Sequence, residues 1–324
     1  MRTLFSASLT AICLAGTQLA VAGAVNLPGD MPAMGGHYLH FDNRFSEWQN
    51  SGSYLTNSTS LEADDRVTYD ARSHGNRWQH TVRYVYGLSE DWAVGVSQGY
   101  AEARWHRSVN DDGLTSLEGS FEQAGETDLT LIGQYRLAPG AALITEFSPS
   151  TAGANPARSN TTDTGQQGDA GRGYSELGLE LAANWVTELG TQWLGSVRLD
   201  ATTREKVNGH GVSGPWCLAM NFGSRVNLSK DHHLVFVWHL MRGFSYKRYN
   251  ASLETEASYG DQSQFALNTQ YQWDLTAQLQ LQSYVNLAMT QPAIEKFSSG
   301  GQKQRIELSG GTETTLGFAL KAEF

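Results

Sequence analysis

Beyond its first two dozen residues the chain has no long uncharged apolar run, so no membrane-crossing helix is expected. Cysteine is nearly missing. Of the two, Cys13 lies in the N-terminal segment and Cys217 stands alone after it, which excludes an internal disulfide in the processed chain and offers no second thiol for redox work. Proline is scarce, 7 residues against 34 glycines, the balance of a chain with many turns and few broken β-ladders. Positive charge is in deficit: 23 Lys and Arg against 33 Asp and Glu leave a net charge of −10, a poor basis for binding nucleic acid.

The N-terminus reads as a secretory leader spanning residues 1–24. Arg2 supplies the positive start, Leu4 to Ala22 carry no charge, and small residues permit cleavage after Ala22 or Ala24. Cys13 follows Ile12 rather than a small residue, which argues against lipidation there. Losing Arg2 with the leader takes the net charge from −10 to −11. Residues 25–324 are then expected to form one domain, with 25–35 as a periplasmic lead-in.

What is abundant is alternation. In the last segment Thr312, Thr314, Leu316, Phe318, Leu320, Ala322 and Phe324 fall on one face, and Glu313, Thr315, Lys321 and Glu323 on the other. Side chains alternate across a strand, so this segment has an apolar and a polar wall. The pattern recurs at Leu129–Leu137, Ser175–Trp185, Trp193–Leu199, Phe265–Trp273 and Ala277–Met289, the last two with inner sets rich in Gln and Asn. Connections alternate too. Short turns are expected at Leu88–Trp92, Leu137–Ala141, Val186–Thr191, Leu228–His232 and Trp273–Ala277, and long polar loops near 107–118, 149–173, 202–214, 249–261 and 290–311. This order predicts an all-β, antiparallel up-and-down transmembrane β-barrel of about twelve strands, with both termini periplasmic. Gly36–Phe45 is expected as strand one, closing onto the last strand, with Leu39, Phe41 and Phe45 outward and Tyr38, His40, Asp42 and Arg44 inward; Arg66–Ala71 is the alternative. Aromatics near the short turns (Tyr84, Trp92, Tyr135, Trp185, Trp193, Trp273, Phe324) and near the loops (Trp78, Tyr100, Phe121, Tyr174, Trp216, Phe244) are expected to form two interfacial belts.

Two stretches resemble a known family. Thr81-Val-Arg-Tyr-Val-Tyr-Gly-Leu-Ser-Glu-Asp-Trp-Ala-Val-Gly-Val96 is similar to its "RYGLTD…LGV" hairpin, and Gly125-Glu-Thr-Asp-Leu-Thr-Leu-Ile-Gly-Gln-Tyr-Arg-Leu137 to its "GDT.LGLKYRL" strand. The family is the outer-membrane proteins of the meta-pathway of phenol degradation. The resemblance implies an outer-membrane channel for small molecules, often aromatic or apolar. The chain departs from the pattern in Gly125-Glu126-Thr127-Asp128, where the family has a shorter Gly-Asp turn, and in the hydrophilic stretch 149–173.

The inner faces hold the candidate solute path: Arg44, Arg83, Arg136, Arg198, Arg225, Asp128, Glu146, Glu176, Glu180, Gln270, Gln280 and Gln282. Glu180 is expected opposite Arg198 across a hairpin. Charged positions select solutes by sign in a pore, or neutralise one another in a closed wall; amides offer neutral hydrogen bonding. A passive outer-membrane channel is the leading reading. A surface-binding or structural barrel with a closed lumen is the second, and a lipid-modifying enzyme of the outer membrane the third. No catalytic residue, metal or cofactor is expected: nothing around His80 resembles a nucleophile motif, His233 and His239 share a face but stand about 20 Å apart by strand rise, and Asp163 and Asp169 match no calcium loop. The expected partners are outer-membrane lipid and lipopolysaccharide, a small solute, and the barrel-assembly machinery through the terminal Phe324, with no nucleic acid.

Overall fold

In a computed structural model the described residues are 31–57, 67–111, 115–150, 158–159, 174–188, 190–207, 210–213, 216–250, 255–291, 293–299 and 302–324. The leader, its cleavage sites, most of the lead-in, and the loop with Asp163 and Asp169 lie outside them. The wall is built from β1 (His37–Asn57), β2 (Val67–Gly87), β3 (Trp92–Asp111), β4 (Thr115–Glu126 and Thr130–Ala138), β5 (Ala141–Ser148, then Arg158–Ser159) and β6 (Glu176–Val186). It continues through β7 (Gln192–Thr202 and Arg204–Val207), β8 (His210–Ser213 and Cys217–Asn227), β9 (His232–Gly243 and Tyr246–Asn250), β10 (Thr255–Tyr259 and Gln262–Asp274), β11 (Leu279–Thr290 and Ala293–Ser299) and β12 (Gln302–Glu323). Each strand pairs antiparallel with its sequence neighbours. β12 also pairs with β1, from Tyr38↔Glu323 to Asn57↔Lys303, with one register shift between Ser51 and Gly52.

That last pairing settles the choice of strand one. His37–Asn57 closes the barrel, and 67–71 belongs to the upper part of β2. His37 and Phe324 exchange both backbone bonds, at 2.9 Å each. Closure leaves no edge, which lipid requires because an unpaired backbone group there finds no water.

The faces are inverted relative to a soluble sheet. Leu39, Val82, Val94, Leu131, Leu179, Val197, Phe222, Leu240, Val285, Leu287, Leu316 and Phe318 are exposed, while Arg, Asp, Gln and Asn point into the barrel. Leu287 is 52% exposed and its chain neighbour Asn286 is 0% exposed. An exposed apolar band of this extent around a closed sheet is stable only against lipid. The chain is a membrane-spanning β-barrel. Trp92, Trp185, Trp273 and Phe324 are exposed near one rim, and Trp78, Tyr100, Trp216 and Phe244 nearer the other.

The first rim is made of tight turns. Leu88, Leu228 and Leu275 each donate their N–H to the carbonyl four residues on, at 2.8–2.9 Å. Ser89 Oγ accepts from Asp91 and Trp92 N–H, and Thr276 Oγ1 from Gln278 N–H. Gly140 and Gly190, both at φ +78°, supply the left-handed corner of the other two turns. The turn after β10 runs one step further than expected: Ala277 and Gln278 lie in it, exposed, and β11 begins at Leu279.

The opposite rim corrects the sequence reading. Much of the expected loops near 107–118, 202–214, 249–261 and 290–311 is strand, as in Arg204–Val207 with His210–Ser213 and Ala293–Ser299 with β12. Beyond the membrane both faces are wet, so alternation fades while the backbone ladder continues. At the bend of β10, Asp261 accepts bonds from Arg242 Nη2 and Ser245 N–H, both 2.8 Å. The Arg242 bond, with that from Ser245, holds the Asp261 carboxyl below its ordinary range.

One irregularity changes a face. Tyr100 pairs with Glu126 and Ser97 with Thr130, so three residues of β4 oppose two of β3. Such an extra residue is a β-bulge, and it flips every side chain beyond it. Phe121, expected in the outer belt, pairs in register with the buried Trp105. Tyr174, also expected in the belt, is 3% exposed.

Candidate functional site

The twelve candidate residues all fall on the inward side of the wall, and the structure gathers nine of them into three groups. The first is ionic. Glu146 on β5 receives Arg83 of β2 at 3.2 Å on one carboxylate oxygen and Arg198 of β7 at 2.6 Å on the other. Arg198 Nε also reaches Asp200 at 2.7 Å. Glu180 lies directly opposite Arg198 in register, as expected, but at 3.9 Å it is the outer partner. Glu176 shares the same inner face of β6.

Reach across the strands depends on missing side chains. Gly178 stands between Glu146 and Asp200 in register, and a Cβ there would overlap the Arg198 guanidinium. Arg83 crosses toward Glu146 past Ser97 and Gly95 of β3. The sequence placed Glu180 with Arg198 because hairpin partners are local. It missed the bond to Glu146, fifty-two positions away.

The second group is the amide strip of β10 and β11. Asn268 and Asn286 face each other in register, as do Gln272 and Gln282, while Gln270 faces Tyr284. Asn268, Gln270 and Asn286 are each 0% exposed. The Tyr284 hydroxyl donates to Asp42 of β1 at 2.7 Å, crossing β12 over Gly317. A Cβ at Gly317 would overlap the Tyr284 ring. Gly317→Val is therefore expected to break this bond and cost about 1–3 kcal/mol by overpacking, read as a lower urea midpoint for the lipid-folded protein.

The third group lies near the short-turn rim. Asp274 takes a bond from Gln280 Nε2 at 2.5 Å and from His233 Nε2 at 3.0 Å, with Arg225 at 3.9 Å. Elsewhere Arg44 donates to Gln79 at 2.7 Å. Arg136 sits low on β4 opposite Ala142, and Asp128 is 7% exposed at the bulge.

The geometry for chemistry is thin. The spacing Gly95-x-Ser97-x-Gly99 does occur, but in the middle of β3, not at a strand-to-helix elbow; Ser97 pairs in register with Arg83 and Thr130, with no histidine opposite. His80 faces outward against Phe41, ring centroids 6.5 Å apart. His239 bonds Asn221 and His233 bonds Asn227 and Asp274, and among the described residues no group of three metal-ligating side chains forms. Cys217 points inward opposite Asp200.

No family model and no curated protein matches the chain. Among solved structures it is similar to an outer membrane channel from Pseudomonas putida F1, at 14% identity and TM-score 0.46 over 93% of this chain and 100% of that one. It is similar also to a Pseudomonas aeruginosa FadL homologue, at 7% identity and TM-score 0.42 over 92% and 93% of the two chains. The outer membrane protease OmpT from Escherichia coli follows at 10% identity and TM-score 0.37, over 93% and 99%. The barrel reading here rests on strand pairing and on the exposed apolar band.

Proposed function

We propose that the protein is a passive channel of the bacterial outer membrane for small molecules. The observation that carries this is a barrel closed in register that turns its apolar side chains outward and lines its interior with arginine, carboxylate and amide side chains. A polar and charged interior is what a path for water and small solutes requires. The resemblance over residues 81–137 supports the same reading. In this reading the short-turn rim and both termini are periplasmic, residues 1–24 are removed on export, the apolar band meets lipid and lipopolysaccharide, and Phe324 is read by the barrel-assembly machinery. The twelve inner residues line the path, and no step of catalysis is assigned to them.

The ionic group favours a second reading. Arg83, Glu146, Arg198 and Asp200 neutralise one another, as the wall of a sealed barrel also would. Planar-bilayer recording on the refolded chain separates the two. Stepwise currents in KCl are expected; neither current nor liposome swelling with any small solute would remove the channel.

A further inference from the structure

At the short-turn rim one arrangement occurs twice on the outer face. His37 of β1 lies opposite Tyr86 of β2 in register, and Tyr84 stands two residues further toward the apolar band. His232 of β9 lies opposite Trp273 of β10, with Tyr271 two residues further toward the band. In both, the histidine Nδ1 and the tyrosine hydroxyl share a hydrogen bond of 2.6 Å. In both, the imidazole also lies against the aromatic ring opposite, with centroids 5.1 Å apart at Tyr86 and 5.6 Å apart at Trp273. Tyr84, Tyr271 and Trp273 are exposed, where the apolar band gives way to the turns. The neighbouring turns add no net positive charge: Glu90 and Asp91 are exposed beside the first pair, and Lys230 and Asp231 beside the second.

We infer that each pair is a site for the headgroup of a zwitterionic phospholipid, with its phosphate on the histidine and tyrosine and its ammonium over the adjoining aromatic ring. The inference rests on the short-turn rim facing the periplasm, the side whose leaflet is phospholipid, and it is independent of the channel reading. A neutral imidazole and a phenol carry two polar hydrogens and use one between them. If the tyrosine donates, the Nε2–H stays free; if Nδ1–H donates, the phenol O–H stays free. Either way one donor is left for an outside acceptor, and a phosphodiester oxygen lies at this depth. The aromatic face attracts the ammonium of the same headgroup. An anionic headgroup that carries an alcohol in place of the ammonium gains nothing from the ring and meets the turn carboxylates. Aromatics that serve only to fit the interface need no histidine held at one nitrogen.

The test is native mass spectrometry of the refolded full chain, released from micelles holding equal amounts of phosphatidylethanolamine and phosphatidylglycerol. Wild type is expected to retain up to two phosphatidylethanolamines, in at least fivefold excess over phosphatidylglycerol. Tyr84→Phe and Tyr271→Phe are each expected to retain at most one, and the double variant at least fivefold less in total. Should the double variant fail to fold, judged by heat-modifiable gel mobility, His37→Gln with His232→Gln is expected to show the same loss. Phosphatidylethanolamine retained equally by wild type and a folded double variant, or phosphatidylglycerol retained as well as phosphatidylethanolamine by wild type, overturns the two sites and leaves the channel reading standing.

Discussion

Leu316→Arg is expected to leave most of the protein unfolded when it is diluted from urea into lipid vesicles. Leu316 is 53% exposed on the outer face of β12, between Phe45 of β1 and Val285 of β11 in register. All three belong to the apolar band, and Phe45 packs against Trp78 with ring centroids 4.8 Å apart. Arginine on a lipid-facing site near the midplane costs about 2–4 kcal/mol, and near the interface about 0–1. The position also lies on the closing seam, where β12 must pair with β1 before the barrel loses its edges. Thr312→Arg, four residues toward the long-hairpin rim on the same face, is the control and is expected to fold normally. The folded fraction on an unheated gel reads both. Equal yields for Leu316→Arg and wild type would mean that this face does not meet lipid.

Arg198→Met is expected to destabilise the folded barrel by about 3 kcal/mol, the lower end of the range for breaking a buried ion pair. The lower end applies because the Arg198 side chain keeps 22% of its exposure. Its loss removes the cation shared by Glu146, Asp200 and Glu180 and leaves three carboxylates on facing strands. Arg83 can answer only one of them. Glu146→Gln added to Arg198→Met is expected to return part of the loss, since it removes one of the stranded charges. Urea midpoints in vesicles, compared at constant slope, give the coupling between the two sites. In the bilayer, the single variant is expected to shift the reversal potential toward cation preference. A midpoint within experimental error of wild type would place the network outside the folding energetics, whatever its geometry.

The parts of the barrel that were legible in the sequence are those set by a period of two. The inward and outward sets of β1, β6, β7, β10, β11 and β12 follow from alternation alone, because lipid outside and polar lumen inside hold each strand to one phase. The short turns were legible from Gly, Ser and Asp breaking that phase. The strand ends on the opposite rim were not. Along 293–299 and 302–308 Lys, Arg, Glu, Gln and Ser interrupt any sustained apolar pattern in the sequence, and a ladder held by backbone bonds leaves no mark on side-chain composition. The bulge at 127–129 was also invisible, since one extra residue is recognised only from its partner strand.

By itself, then, the sequence determined the architecture: alternation fixed which residues face lipid, and the rhythm of short and long connections fixed how hairpins follow one another. Tertiary structure decided the site. Glu146 meets Arg198 and Arg83, and Tyr284 meets Asp42, only because curvature brings the inner faces of non-neighbouring strands together, and only because Gly178 and Gly317 leave room to cross. Contacts across a closed barrel join residues tens to hundreds of positions apart, and no local pattern along a strand encodes them.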